Sequence, residues 1–496
     1  MTVQPAASPV GVPEQKGRFG TFAGVFTPNV LTILGLILFL RTGWVVGQAG
    51  LVGALVIVAL ANAITLLTGL SLSAIATSMR VRTGGNYYLI SRSLGLEIGG
   101  AIGIPLYLSQ AISVAFYVIG FTEALLSIPF FQAMDARLIS TAVVVLFGVI
   151  AYIGADFALR IQYVVLAALV GALISFFAGG WGDTLAPTLT PAFTPGVTFW
   201  AVFAVFFPAV TGITVGASMS GDLKDPGKSI PRGTLASIVV TAAIYLATVI
   251  WLALHASPSD LIANNLIMQE IAAWPLLILI GVWAATLSSA LGSVMAAPRV
   301  LQALAFDNVL PRVLGARMGS KTEPRVAVLV TTALAVAVVW MGDLNFVAPV
   351  ISMFFLNTYG MTNLAASIEK LVGNPLPARF NIHWSVSLLG ALGCYGAMFL
   401  INAPATVVAI VISYGIFFLL ERRSLQRTWG DLRSGLWFTL ARYSLLNLES
   451  RAFMPRTGGP TFSSSPGSPT TGSNWWRWPT GWSGPRHRHL HPVAHR

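Results

Sequence analysis

The chain has 496 residues, of which 55% are hydrophobic and only 9% charged, and its mean hydropathy is +0.77. Soluble classes are excluded by this composition, and apolar runs of about twenty residues, each long enough to cross roughly 30 Å of hydrocarbon, recur along the chain. The net charge of +12 is spread over alternate loops and forms no single stripe, which argues against a nucleic-acid partner, and the lone cysteine, Cys394, excludes an internal disulfide.

Residues 1–18 read as a polar, Pro/Gly-rich cytoplasmic tail with no signal-peptide core. Twelve spans are predicted within residues 19–421, at 23–42, 50–79, 98–128, 138–155, 161–180, 198–220, 232–254, 272–298, 325–341, 345–368, 384–402 and 404–420. With the N-terminus inside, Lys16, Arg18, Arg80, Arg82, Arg160, Lys224, Lys228, Arg312, Arg325 and their neighbours all face the cytoplasm. Only Arg41 and Arg137 face outward. That bias predicts a multi-pass protein with both termini cytoplasmic, in a plasma membrane or a bacterial inner membrane. Residues 422–451 read as an amphipathic juxtamembrane segment. Residues 452–496, rich in Pro, Gly, Ser, Thr and Trp, read as a disordered tail.

Two spans carry residues ill suited to a simple helix. Span 1 contains "FTPNVLTILGLILFLR", with Pro28 and Gly35, and span 6 contains "FFPAVTGITVGASMSGDL", with Pro208, Gly212 and Gly216. Proline removes a backbone donor and glycine weakens helix. The two spans lie five apart, as expected if spans 1–5 and 6–10 are inverted repeats, and matched interruptions in two halves point to a transport site. An interrupted helix offers carbonyls that can strip water from a cation and amides that can hold an anion. A site of this kind needs no charged side chain, and no Asp, Glu, Lys or Arg falls near the middle of spans 1, 3, 6, 8 or 10. Bulky Leu36, Ile37 and Leu38 after Gly35 favour small ions over an organic carboxylate. The plain alternative is that Pro and Gly merely kink packed helices.

Four stretches resemble the cation–chloride cotransporters of the amino acid–polyamine–organocation superfamily: "GTFAGVFTPNVLTILGLILFLRTGWVVGQAG", "LSAIATSMRVRTGGNYYLISRSLGLEIGGAIG", "FFPAVTGITVGASMSGDLKDPGKSIPRGTL" and "ATLSSALGSVMAAPRVLQALAFDNVLP". The likeness covers roughly residues 17–450. It implies an all-α polytopic membrane protein of twelve helices with a LeuT-like 5+5 inverted repeat and broken helices 1 and 6. It also implies a potassium site at Thr32, the Ile33 carbonyl, Tyr117, the Pro208 carbonyl and Thr211, although Thr32 stands where the family has Asn. Chloride would sit at the amides of Gly35, Leu36 and Ile37, and again at those of Gly212, Ile213 and Thr214 with the Tyr359 hydroxyl. Sodium would use Leu31, Leu34 and Ala285 carbonyls with Ser288 and Ser289, a serine pair that resembles the sodium-coupled branch. Arg41 and Glu123 would close an extracellular gate, and "RVRTGGNYYLISRS" would line the cytoplasmic exit.

The function implied is electroneutral symport of Na⁺, K⁺ and two Cl⁻ by alternating access, with no cofactor and with inorganic ions and the lipid bilayer as partners. Na⁺/Cl⁻ or K⁺/Cl⁻ symport, an amino-acid permease of the same fold and a non-transporting relative are the alternatives. No nucleophile–base pair suggests an enzyme. The cytoplasmic domain through which such cotransporters dimerise has no counterpart after about residue 451, which leaves a homodimer open.

Overall fold

The computed structural model describes residues 19–78, 87–88, 90–91, 95–153, 158–180, 185–218, 223–316, 324–372 and 380–422. Contacts divide the chain into two units, 1–442 and 443–496, and every described residue lies in the first. The N-terminal tail, the amphipathic segment beyond Arg422 and the C-terminal tail lie outside the described residues, as does most of the expected exit helix, of which Tyr87, Tyr88, Ile90 and Ser91 are seen.

The described residues form helices and loops, with one isolated parallel β-bridge between Phe19 and Leu223. Eight helices are long and apolar enough to cross a membrane, and shorter apolar helices cover Gln162–Ala178, Phe199–Val210 and Arg325–Met341. The final element, Trp384–Arg422, is 39 residues long and leaves helical geometry at Asn402 (φ −156°, ψ 95°). Unbroken, it would run about 58 Å, nearly twice the hydrocarbon thickness, so it counts as two crossings. The twelve expected crossings are thus accounted for, and this is a polytopic all-α membrane protein.

The structure moves several boundaries. Span 1 continues past Arg41 into the element Thr42–Ser78, which turns into span 2 at Gly50 (φ 65°, ψ 174°). Only glycine adopts that backbone comfortably, and a Cβ there would sit 2.5 Å from the Thr190 carbonyl oxygen. Span 8, Pro275–Phe306, ends about two turns beyond the expected boundary at 298. Two short helices, Pro258–Ala263 and Ile267–Ile271, were not anticipated. The Ser257 hydroxyl caps the first of them by accepting from the Asp260 amide. Gly43 and Gly47 let both lie against the C-terminal part of span 1, close to Leu261, Ile262 and Ile267.

Span 7 packs along span 2, and span 8 along spans 3 and 5. Spans 1 and 6 run between these layers, and the broken helices are deeply enclosed. Phe39, Phe203, Phe206, Phe207 and Val210 are all buried around them. At Gly120 of span 3 the missing side chain makes room for Leu36.

Candidate functional site: the crossing of two broken helices

Span 1 begins with a π-helical turn, Phe22–Phe26, and is α-helical over Thr27–Ile33. It opens at Leu34 (φ −80°, ψ 45°) and Gly35 (φ −94°, ψ −139°), then resumes over Leu36–Leu40. Pro28 causes no break itself: it follows directly on the π-helical turn, and the backbone stays helical through Phe26 and Thr27 into Ile33. Span 6 is α-helical over Phe199–Phe206 and tightens to a 3₁₀ turn over Phe207–Val210. It is open through Thr211–Ile213 and resumes over Thr214–Ser218. Here Pro208 starts the irregular stretch.

The two openings touch. A Cβ at Gly212 would be 2.8 Å from Thr32 Cβ and 3.0 Å from the Ile33 amide nitrogen. A Cβ at Gly35 would be 2.9 Å from the Thr32 carbonyl oxygen, 3.7 Å from Ser289 Oγ and 3.8 Å from the Leu31 carbonyl oxygen. Glycine at both positions is what allows backbone to meet backbone.

The polar groups freed by the breaks are met unevenly. Among the described residues the amides of Gly35, Leu36, Ile37, Gly212 and Ile213 find no backbone acceptor. The Val215 amide reaches back to the Gly212 carbonyl at 3.3 Å. Several carbonyls receive side-chain donors. Tyr245 Oη donates to the Ile33 carbonyl at 2.8 Å, Tyr359 Oη to the Thr211 carbonyl, and Thr211 Oγ1 to the Pro208 carbonyl at 2.9 Å. Thr65 Oγ1 of span 2 donates to the Val210 carbonyl at 3.3 Å. Thr32 Oγ1 turns back to the Pro28 carbonyl at 2.8 Å.

Most of the residues singled out for ion binding are therefore neighbours. Thr32 and Ile33 lie against Gly212, and Pro208, Thr211 and Tyr359 form one hydrogen-bonded chain. Tyr117 is buried in the same core cluster as Ile33, Tyr245 and Tyr359. The serine pair divides. Ser289 Oγ points across to the Leu31 carbonyl at 3.5 Å, the outer limit of a hydrogen bond, while Ser288 Oγ bonds the Ala285 carbonyl of its own helix at 3.1 Å.

At one end of span 1, Arg41 and Glu123 form a two-pronged ion pair of 2.8 and 2.9 Å. The Arg41 guanidinium is 3% exposed and also donates to the Leu40 carbonyl and to Asn345 Oδ1. Asn265 Nδ2 donates to Glu123 at 2.7 Å. One pair thus joins span 1 to span 3, the start of span 10 and the loop before Ile267–Ile271.

Sequence reasoning missed five of these residues: Asn29, Thr65, Tyr245, Asn265 and Asn345. Asn29, wholly buried, accepts from the Gly216 amide at 2.8 Å and donates to Ser237 Oγ at 3.3 Å, so it ties spans 1, 6 and 7 together. Its signal was present as an amide side chain inside a membrane span.

Two five-span halves that cross at a pair of broken helices define a secondary transporter. Residues 24–460 match the amino acid permease family, and the chain belongs to it. The chain is 33% identical to solute carrier family 12 member 2 of Squalus acanthias, over 91% of its own length and 44% of that protein's. Against cation-chloride cotransporter 1 of Oryza sativa subsp. japonica it is 33% identical over 91% and 52%, and against solute carrier family 12 member 1 of Mus musculus 34% over 89% and 47%. These likenesses bear out the cation–chloride cotransporter resemblance read from the motifs, and they place the chain among carriers and not among enzymes. The chain spans about half the length of the relatives it matches.

Proposed function

We propose that the chain is a symporter that couples Na⁺ and K⁺ to two Cl⁻ by alternating access, driven by the sodium gradient and using no cofactor. The observation that carries this reading is the contact between two broken helices, where carbonyls and acceptor-free amides converge without a charged side chain. The carbonyls of Leu31 and Ile33, with Tyr117, Pro208, Thr211 and Ser289, offer hard oxygen ligands to cations. The amides of Gly35, Leu36, Ile37, Gly212 and Ile213 offer dipoles to chloride, and a cation bound alongside would strengthen them. The close approach at Gly212 supports ions over a bulkier organic substrate. In keeping with the loop charges, both termini face the cytoplasm and the Arg41–Glu123 pair closes the outer mouth.

One observation favours a second reading, Na⁺/Cl⁻ symport. The Thr32 hydroxyl is committed to Pro28 and the Ile33 carbonyl already has a donor, which weakens two of the potassium ligands. Purified protein in liposomes separates the two. The leading reading expects uptake of both ²²Na⁺ and ⁸⁶Rb⁺ to require chloride and each other. Chloride-dependent ²²Na⁺ uptake without ⁸⁶Rb⁺ uptake selects the second reading. Cation uptake indifferent to chloride, with thermal stabilisation by amino acids but not by salts, sinks both.

A further inference from the structure

Tyr245 lies on span 7, is fully buried, and gives its hydroxyl proton to the Ile33 carbonyl at 2.8 Å. Ile33 is the last residue of the first helical half of span 1. In an intact helix its carbonyl would accept from the amide four residues on, but the break at Leu34 and Gly35 has turned that amide away. A carbonyl left unmet at this depth is costly. The phenol meets that need, and its ring is held edge-on against Phe206 with centroids 5.3 Å apart.

The contact has a counterpart. Thr65 of span 2 donates to the carbonyl of Val210, the last residue of the 3₁₀ turn that ends the first half of span 6. Spans 2 and 7 hold equivalent places in the two repeats, as do spans 1 and 6. Each repeat's second span therefore supplies a hydroxyl to the broken span of the other. The span 1 contact is the shorter of the two, and it falls on a carbonyl assigned above to a cation.

A hydroxyl proton and a metal cation both seek the negative end of that carbonyl, and the positive end of the O–H dipole opposes a cation beside it. We propose that the Tyr245 hydroxyl competes with the transported cation for the Ile33 carbonyl, releasing it as the cation arrives and taking it back as the cation leaves. Tyr245 thereby sets cation affinity and eases the return of the unloaded carrier. This rests on the cation reading of the span 1 break given above.

Tyr245→Phe removes the competitor and keeps the ring. In liposomes at saturating chloride, the rubidium concentration giving half-maximal ⁸⁶Rb⁺ uptake should fall about fivefold, the worth of one neutral hydrogen bond, while the maximal rate also falls. Half-saturation by chloride, measured at saturating rubidium, should not move. A tyrosine that only supports the fold would leave rubidium half-saturation unchanged or raise it, and either result overturns the inference. Independently of the variant, infrared difference spectra of the wild-type protein in rubidium against choline chloride should show a tyrosine C–O–H band shifting, and an unchanged tyrosine region likewise overturns it. Wild-type protein that takes up no rubidium with chloride sinks the potassium reading of the Ile33 carbonyl and this inference with it. Normal wild-type uptake with an unaltered rubidium response in the variant sinks the inference alone.

Discussion

A methyl group added at Gly212 has nowhere to go. Its nearest neighbours are the Cβ and Cγ2 of Thr32 and the backbone nitrogen of Ile33, at 2.8, 2.9 and 3.0 Å, and neither the Cβ nor the nitrogen can swing aside as the end of a flexible side chain would. Overpacking of this kind costs about 1–3 kcal/mol. Gly212→Ala should therefore lower the melting temperature of the purified protein and cut chloride-dependent uptake at least tenfold. A variant that melts and transports like the wild type would show that the two breaks need not touch. At this scale the sequence was legible wherever the chemistry is local. Pro208, Gly35 and Gly212 announced irregular backbone through the donor or side chain they lack. Tyr245 and Thr65 gave no such warning, since a buried hydroxyl on an apolar span acquires its meaning only from the helix packed opposite. The serines show the same limit from the other side. Adjacent in sequence, Ser288 and Ser289 looked alike, yet the turn of the helix sends one back to Ala285 and the other across to Leu31.

Among whole elements, the turn from span 1 into span 2 carries the sharpest requirement. Gly50 has a left-handed φ of 65°, and a Cβ there would meet the Thr190 carbonyl oxygen and carbon at 2.5 and 2.8 Å. Two penalties coincide, a backbone conformation essentially confined to glycine and costing an L-residue about 1–3 kcal/mol, and a clash with main chain. Gly50→Ala should lower the melting temperature clearly, whereas Gly171→Ala, with nothing within 4 Å of the added carbon, should leave it unchanged or slightly raised. Equal melting of the two variants would contradict the geometry. The division of the chain into spans followed from long apolar runs, because a bilayer fixes how many such residues a crossing needs. Pro258–Ala263 and Ile267–Ile271 escaped for the converse reason. Each is five or six residues long, and such short helices owe their existence to the glycines of span 1 beneath them and not to any periodicity of their own.

For the molecule as a whole, alternating access requires that something stable in one state be broken in the other. The Arg41–Glu123 pair is suited to that part, because it fastens span 1, one of the broken helices, to span 3, which packs with span 8. Asn345 and Asn265 add one further hydrogen bond to each member of the pair, which makes a small network of four side chains. Removing the carboxylate charge with Glu123→Gln leaves the Arg41–Asn345 contact and the buried guanidinium in place, but it forfeits a two-pronged ion pair worth about 1.5–3 kcal/mol. The balance between closed and open outer mouths should then shift at least tenfold toward open. A cysteine at position 36 reports this directly. Leu36→Cys is smaller than the native residue, the space beside Gly120 accepts it, and the natural Cys394 is fully buried. A membrane-impermeant thiol reagent added from outside should block uptake by Leu36→Cys slowly, and by Leu36→Cys combined with Glu123→Gln about tenfold faster. If the rates match, the ion pair is structural and closure of the mouth depends on other contacts. If the reagent acts only from the cytoplasmic side, the orientation read from the loop charges is reversed.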